Sequence, residues 1–330
     1  MHVLKTIRYS RNVINYPHFY MQISNNVCFD VLIDDFFTNI NIDAKLTPIS
    51  KKKVLSLING WEEGLWRYKD FQNFIWDNIA ETALSSRERE SLINQSLLLA
   101  AAKNLRFIDK NAKIGQASEL AEVLLYGIMK HHYGALPVVP KIYYKQNNSD
   151  NAKGADSVHI VIDNSNDFSI WLGEAKFYND IQDSRLYDIV NSVSDSVNAD
   201  KLKKENYIIS RVKDLDDLVK DTNMRKSILD ILDQKTSIDL YKAKLHIPIL
   251  LLHECSITNK TSLMTQNYKD EIIAYHKDRA NSYFKKQVNK MSKSVHLYSE
   301  ISFHIILFPV PEKDKIIEKF NRNLEFYKNN

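Results

Sequence analysis

The sequence predicts an α/β fold: a mixed sheet flanked by helices, preceded by a smaller, mainly helical N-terminal segment. Three observations carry this. Of 330 residues, 44% are hydrophobic and 26% charged, which is ordinary for a globular chain able to bury one large core or two smaller ones. From residue 118 to 310 the hydrophobic pattern runs helix, hairpin, helix, strand, helix, strand. Before that, from Ser50 to Asn104, helical spacing prevails. A boundary is expected near residue 112, separating the N-terminal segment 1–112 from a larger domain, 113–330.

Residues 1 to about 45 alternate loosely, as in Val27-Cys28-Phe29-Asp30-Val31-Leu32-Ile33, and suggest one or two strands. Ser50-Lys51-Lys52-Lys53 opens like a capped helix, with Val54, Leu57, Ile58, Trp61 and Leu65 at helical spacing. Helices follow from about Gln72 to Leu84 and from Ser86 to Asn104. Ser118 is placed to cap a helix from Glu119 to about Lys130, with Leu120, Val123, Leu124, Gly127 and Ile128 on one face. At about 100° per residue this stripe centres near Leu120, which sets Glu119 on its flank and turns Glu122 towards water. Pro137 and Pro140 break the chain, and Ile142-Tyr143-Tyr144 reads as a strand leading into the polar loop Gln146 to Lys153. Val158 to Ile162, a turn at Asp163 to Asp167, and Ile170 to Phe177 make an antiparallel hairpin. Then come a helix from about Asp183 to Val197, a charged segment from Lys201 to Lys226 read as solvated surface, and an apolar strand at Leu245 to Leu252. A long helix and a second apolar strand, Ile301 to Val310, follow.

Composition excludes several chemistries. Two distant cysteines, Cys28 and Cys255, suggest neither a disulfide framework nor a cysteine zinc site, and fit a reducing, cytoplasmic setting. The apolar runs are too short to span a bilayer, so no membrane partner is expected. No Gly-X-X-X-X-Gly-Lys-Ser/Thr loop exists, so any nucleotide-driven motor must come from another protein. His131-His132 and His253-Glu254-Cys255 lack the further ligands a zinc site needs, and no Gly-X-Ser-X-Gly elbow exists. The net charge of +4 permits a polyanionic partner without demanding one.

The informative residues lie on the hairpin. Asp156 follows Gly154-Ala155, and Glu174 and Lys176 sit two apart in Ile170-Trp171-Leu172-Gly173-Glu174-Ala175-Lys176-Phe177. Alternation sends Glu174 and Lys176 to one face of a half-buried strand, where each charge requires a partner, a metal or a substrate. Only seven glycines occur in the chain, and Gly154 and Gly173 immediately precede the candidate site, as expected where backbones approach closely. Asp156 and Glu174 suit a magnesium ion (Mg2+), with Mn2+ as a substitute, and Glu119 is expected to complete the shell, directly or through water. Such an ion polarises a phosphate, while Lys176 positions water or offsets developing charge. His159 falls on the opposite face from Asp156 and suits a core role. Ser157 is expected to be a hydrogen-bonding neighbour.

The order helix Glu, strand Asp, strand Glu-X-Lys resembles the PD-(D/E)XK nuclease superfamily. Gly154-Ala155-Asp156-Ser157-Val158-His159 with Leu172-Gly173-Glu174-Ala175-Lys176-Phe177-Tyr178 resembles, more specifically, the nuclease domain of HamA-type and AbpA-type proteins. Those are effectors of the Hachiman and AbpAB anti-phage systems. The resemblance covers roughly residues 115 to 310. It implies a restriction-endonuclease-like fold and a DNA nuclease working beside a separate superfamily 2 helicase, with Asp156, Glu174 and Lys176 as the catalytic core. Glu119 and Glu122 both suit the helix position, and the helical face selects Glu119. Ala155 stands where the superfamily usually has Pro.

For DNA contact, Lys277, Arg279, Lys285, Lys286 and Lys290, interleaved with Tyr275, Tyr283 and Phe284, suit backbone phosphates and base stacking. A non-catalytic adaptor that keeps the fold to bind DNA or helicase is the alternative. It would be expected to have lost Asp156, Glu174 or Lys176, and all three are present. The segment 1–112 is assigned to partner docking or regulation by elimination.

Overall fold

The computed structural model describes residues 28–92, 95–108, 118–147 and 154–330. Residues 1–27, much of the region expected to alternate, and 148–153, most of the expected polar loop, lie outside the described residues.

The chain begins its described course with β1 (Asp30–Phe36), α1 (Phe37–Ile40), β2 (Lys52–Ile58) and the two-residue strands β3 (Trp61–Glu62) and β4 (Leu65–Trp66). Helices α2 (Tyr68–Asp77), α3 (Ile79–Ala83), α4 (Ser86–Ser91), α5 (Leu97–Lys103) and α6 (Ser118–Tyr133) lead to β5 (Leu136–Val139) and α7 (Lys141–Asn147). The hairpin of β6 (Ser157–Ile162) and β7 (Phe168–Tyr178) follows. Next come α8 (Asp183–Ser196), α9 (Ala199–Ile209), α10 (Asp214–Leu218), α11 (Thr222–Leu232), α12 (Ile238–Lys242) and β8 (Leu245–Glu254). Then α13 (Ser256–Lys260) and the long α14 (Gln266–Met291) precede β9 (Ser302–Val310) and α15 (Lys313–Asn329).

A mixed seven-stranded sheet has the order β1-β2-β9-β8-β7-β6-β5. β2, β9, β8 and β7 run parallel, and antiparallel neighbours close both edges. The inner strands β8 and β9 are nearly continuous apolar runs because helices cover both faces. One core lies between the sheet and α8 and α14, with Leu172, Leu186, Ile189 and Phe284 in it. The other, containing Trp171, Ala175, Phe177 and Leu124, lies under α2, α6 and α15. Pro137 is accommodated in β5 because that strand is a sheet edge, where a missing N–H costs least. Among the described residues no helix is long and apolar enough to cross a membrane.

Three expectations are corrected. The run from Ser50 is not a helix: Val54, Leu55, Leu57 and Ile58 are all buried, and Lys52–Ile58 forms β2 between β1 and β9. A short apolar run fits either period, and burial on both faces selected the strand. Ile142-Tyr143-Tyr144 lies in α7 rather than a strand. Pro140 precedes this helix, where its missing N–H is harmless, and its carbonyl accepts the Tyr144 N–H at 3.2 Å. The segment Lys201 to Lys226 is not simply solvated, since Leu202, Glu205, Asn206 and Asp214 are buried. In the sheet, β1 and β2, from residues 1–112, share one set of hydrogen-bonded strands with the hairpin.

Candidate active site

The hairpin register places Ser157 opposite Gly173 and Val158 opposite Leu172. One residue earlier, the Asp156 N–H donates to the Gly173 carbonyl at 2.8 Å, and the Ala175 N–H donates to Asp156 Oδ2 at 3.0 Å. The Asp156 carboxylate is thus fixed to the backbone between Glu174 and Lys176. Lys176 Nζ lies 2.7 Å from Glu174 Oε1 and 3.3 Å from Asp156 Oδ2. The Ser192 hydroxyl, from α8, donates to Glu174 Oε1 at 2.7 Å. The three residues expected to form a catalytic core therefore share one small volume.

Both glycines have the expected close-approach role. A Cβ at Gly173 would lie 2.1 Å from Ser157 Oγ and 2.7 Å from Leu125 Cδ2, so only glycine lets β7 pass beneath α6. A Cβ at Gly154 would lie 1.5 Å from Glu205 Oε1. Ser157 Oγ is buried and has no hydrogen-bond partner among the described residues, so its expected bonding role is not seen. His159 is a core residue, packed on the Tyr126 ring with centroids 4.5 Å apart, and burial pulls its pKa down to about 3.

The helix carboxylate differs from expectation. Glu119 Oε2 accepts the Arg106 N–H at 2.7 Å. Glu122, expected to face water, is buried, and both its oxygens accept from Lys145 Nζ at 2.9 and 2.8 Å. Lys145 Nζ also lies 3.7 Å from Asp156 Oδ1, so Glu122 joins the site through this lysine. The stripe argument fails because α6 is buried on every side: Leu120 through Met129 are all inaccessible. Lys145 was missed because its helix read as a strand followed by a loop.

Burial pushes the Glu122 carboxyl up to about 7, with the Lys145 ammonium opposing and the Asp156 charge reinforcing the shift. Glu174 is also raised, by burial and by Asp156. Lys176 and Lys145 are each held above the ordinary lysine value, because neighbouring carboxylates outweigh the burial that would lower them. The lysines therefore stay protonated, while Glu122 and Glu174 keep their protons to higher pH than free carboxyls do. A cleft of about 350 Å³ opens beside Glu174, lined also by Gly154, Leu172, Ser192 and Lys201.

The HamA family model matches residues 33–324. The chain belongs to the HamA family. It is thereby a Hachiman defence-associated protein, and the match takes in most of the segment before residue 115 that the hairpin resemblance left out. No curated protein matches the sequence.

In this HamA-family chain, Asp156 and Glu174 converge on one cation, the Lys176 ammonium. That donor set suits a hard divalent ion. Among the described residues no group of three His, Cys, Asp or Glu side chains is disposed to hold a metal, so Glu119 does not complete a shell with Asp156 and Glu174 directly. The protein would supply two carboxylates and leave the other positions to water and phosphate oxygens, a common arrangement for magnesium.

The basic residues of α14 are engaged with neighbouring side chains. Arg279 meets Asp278 and Asp183, Lys286 lies 3.0 Å from Asp183, and Lys285 lies 3.1 Å from Asp43. Lys290 donates to Asn191, the residue preceding Ser192, which brings this end of α14 towards the site. Lys277 is half-buried. Tyr283 and Phe284, expected to stack on bases, are instead fully buried between α14 and the sheet.

Proposed function

We propose that this HamA-family protein is a metal-dependent DNA nuclease, the effector of a defence system in which a separate superfamily 2 helicase supplies the motor. The observation that carries the proposal is the convergence of Asp156, Glu174 and Lys176 on one face of a rigid hairpin beside an open cleft. Family membership supports the defence setting. A bound magnesium ion would polarise the scissile phosphate and make a bound water more acidic. Asp156 and Glu174 would hold that ion, with Asp156 fixed by the Ala175 N–H and Glu174 by Ser192. Lys176, protonated and set between the carboxylates, offsets charge developing on the phosphate and orients the attacking water.

The test is plasmid DNA with Mg2+, with Mn2+ as the substitute, and purified protein alone and with its helicase. Glu174→Ala and Lys176→Ala should each abolish cleavage while the protein stays folded. Cleavage unchanged in both would sink the assignment. DNA binding that survives Glu174→Ala, with no cleavage by wild type under any condition, would favour the adaptor reading.

A further inference from the structure

The charged segment read as solvated surface contains a carboxylate that is only 4% exposed, Glu205 on α9. Each of its oxygens is used. Oε2 accepts from Lys141 Nζ at 2.8 Å, and Oε1 accepts the Ala155 backbone N–H at 3.0 Å. Lys141 is itself fully buried. The same Oε1 fills the space that a side chain at Gly154 would need, 1.5 Å from where its Cβ would stand. Both residues directly before Asp156 are therefore seated on Glu205.

A buried ion pair is a poor way to gain stability, because desolvation of both charges offsets their attraction, and a well-packed apolar pair often does as well. What the pair supplies here is placement. Lys141 and Lys145 are four apart on α7, and so lie on one helical face. Lys141 holds the carboxylate that grips the backbone before Asp156, and Lys145 stands 3.7 Å from the Asp156 carboxylate itself. One turn of α7 thus addresses Asp156 from behind and from the side.

We propose that Glu205 is a positioning residue, which acts through the Ala155 N–H to set the Asp156 carboxylate for metal binding and cleavage, with Lys141 as its fixed counter-charge. This rests on the nuclease reading of Asp156. Residues that orient a metal-binding carboxylate typically contribute about 10-fold to 100-fold in metal affinity or activity.

Two double variants test it, each removing both buried charges so that neither is stranded. Lys141→Met with Glu205→Gln keeps an oxygen able to accept the Ala155 N–H, and Lys141→Met with Glu205→Leu does not. The glutamine pair should keep most of the wild-type kcat. The leucine pair should lose about 10-fold to 100-fold in kcat, need more Mg2+ for half-maximal rate, and keep the KM for DNA. Its Ala155 amide should also exchange hydrogen faster than in wild type. Gly154→Ala, whose methyl would displace the Oε1 that accepts the Ala155 N–H, should reproduce the loss, and it carries the comparison if the leucine pair does not fold. Equal kcat in the two double variants, with Ala155 exchange as slow as in wild type, would overturn the positioning role. Equal cleavage by wild type and Glu174→Ala would instead overturn the nuclease reading, and Ala155 exchange would still decide whether Glu205 holds this backbone.

Discussion

Glu122→Gln removes a carboxyl that burial raises to about 7 from an ordinary value of 4.5. The difference corresponds to about 3 kcal/mol. In the unfolded chain the group loses its proton near 4.5, whereas in the folded protein it keeps the proton until near 7. Between those values the unfolded state binds fewer protons, so this group makes stability fall as pH rises, with the full loss reached above 7. Urea unfolding of both proteins in metal-free buffer, stepped from about pH 4.5 to about pH 8, measures the effect, since groups common to both cancel in the comparison. Wild type should lose up to about 3 kcal/mol relative to Glu122→Gln across that window. A constant difference would refute the reasoning, because it would mean that Lys145 keeps Glu122 ionised throughout.

Three further outcomes are expected. Gly173→Ala should cost about 1–3 kcal/mol or more, read from the urea midpoint, because the added methyl overlaps Ser157 and Leu125 beneath α6. Ser192→Ala should lower cleavage about 10-fold to 100-fold without weakening DNA binding, since the hydroxyl only holds Glu174; a wild-type rate would remove α8 from the site. Lys285→Ala and Lys290→Ala should each weaken DNA binding across sequences and reduce the salt dependence by about one unit. Affinity unchanged at low salt would take α14 off the DNA surface.

The hairpin was legible because its signals were local. Alternation fixed which residues share a face, and the scarce glycines marked the two positions where another element presses against the backbone. Residues whose environment is set by distant packing were not legible. The helix stripe assumed that α6 has a wet side, and α2, α3 and the sheet leave it none, so Glu122 is buried beside the site instead of facing water. Lys141 and Lys145 were hidden by reading α7 as a strand, a reading that Ile142, Tyr143 and Tyr144 favour by propensity alone. Glu205 sat in a run so charged that nothing local distinguished it from its solvated neighbours. Its burial depends on a lysine 64 positions earlier in the chain.

The place of β2 bears on how the protein is made. Its parallel partner β9 is about 250 residues downstream, with Val54 registered against Ile305. A ribosome delivers β2 long before anything exists for it to pair with on that side, while β6, β7 and β8 follow in sequence and can associate first. The emerging chain must therefore carry an apolar, half-paired strand through most of its synthesis. Only when residues 302–310 appear can β9 slot between β8 and β2 and join the early strands to the site-bearing hairpin. Shortening the protein from its N-terminal side would consequently bare one edge of β9, so such a truncation would be expected to aggregate before it could report on a docking function.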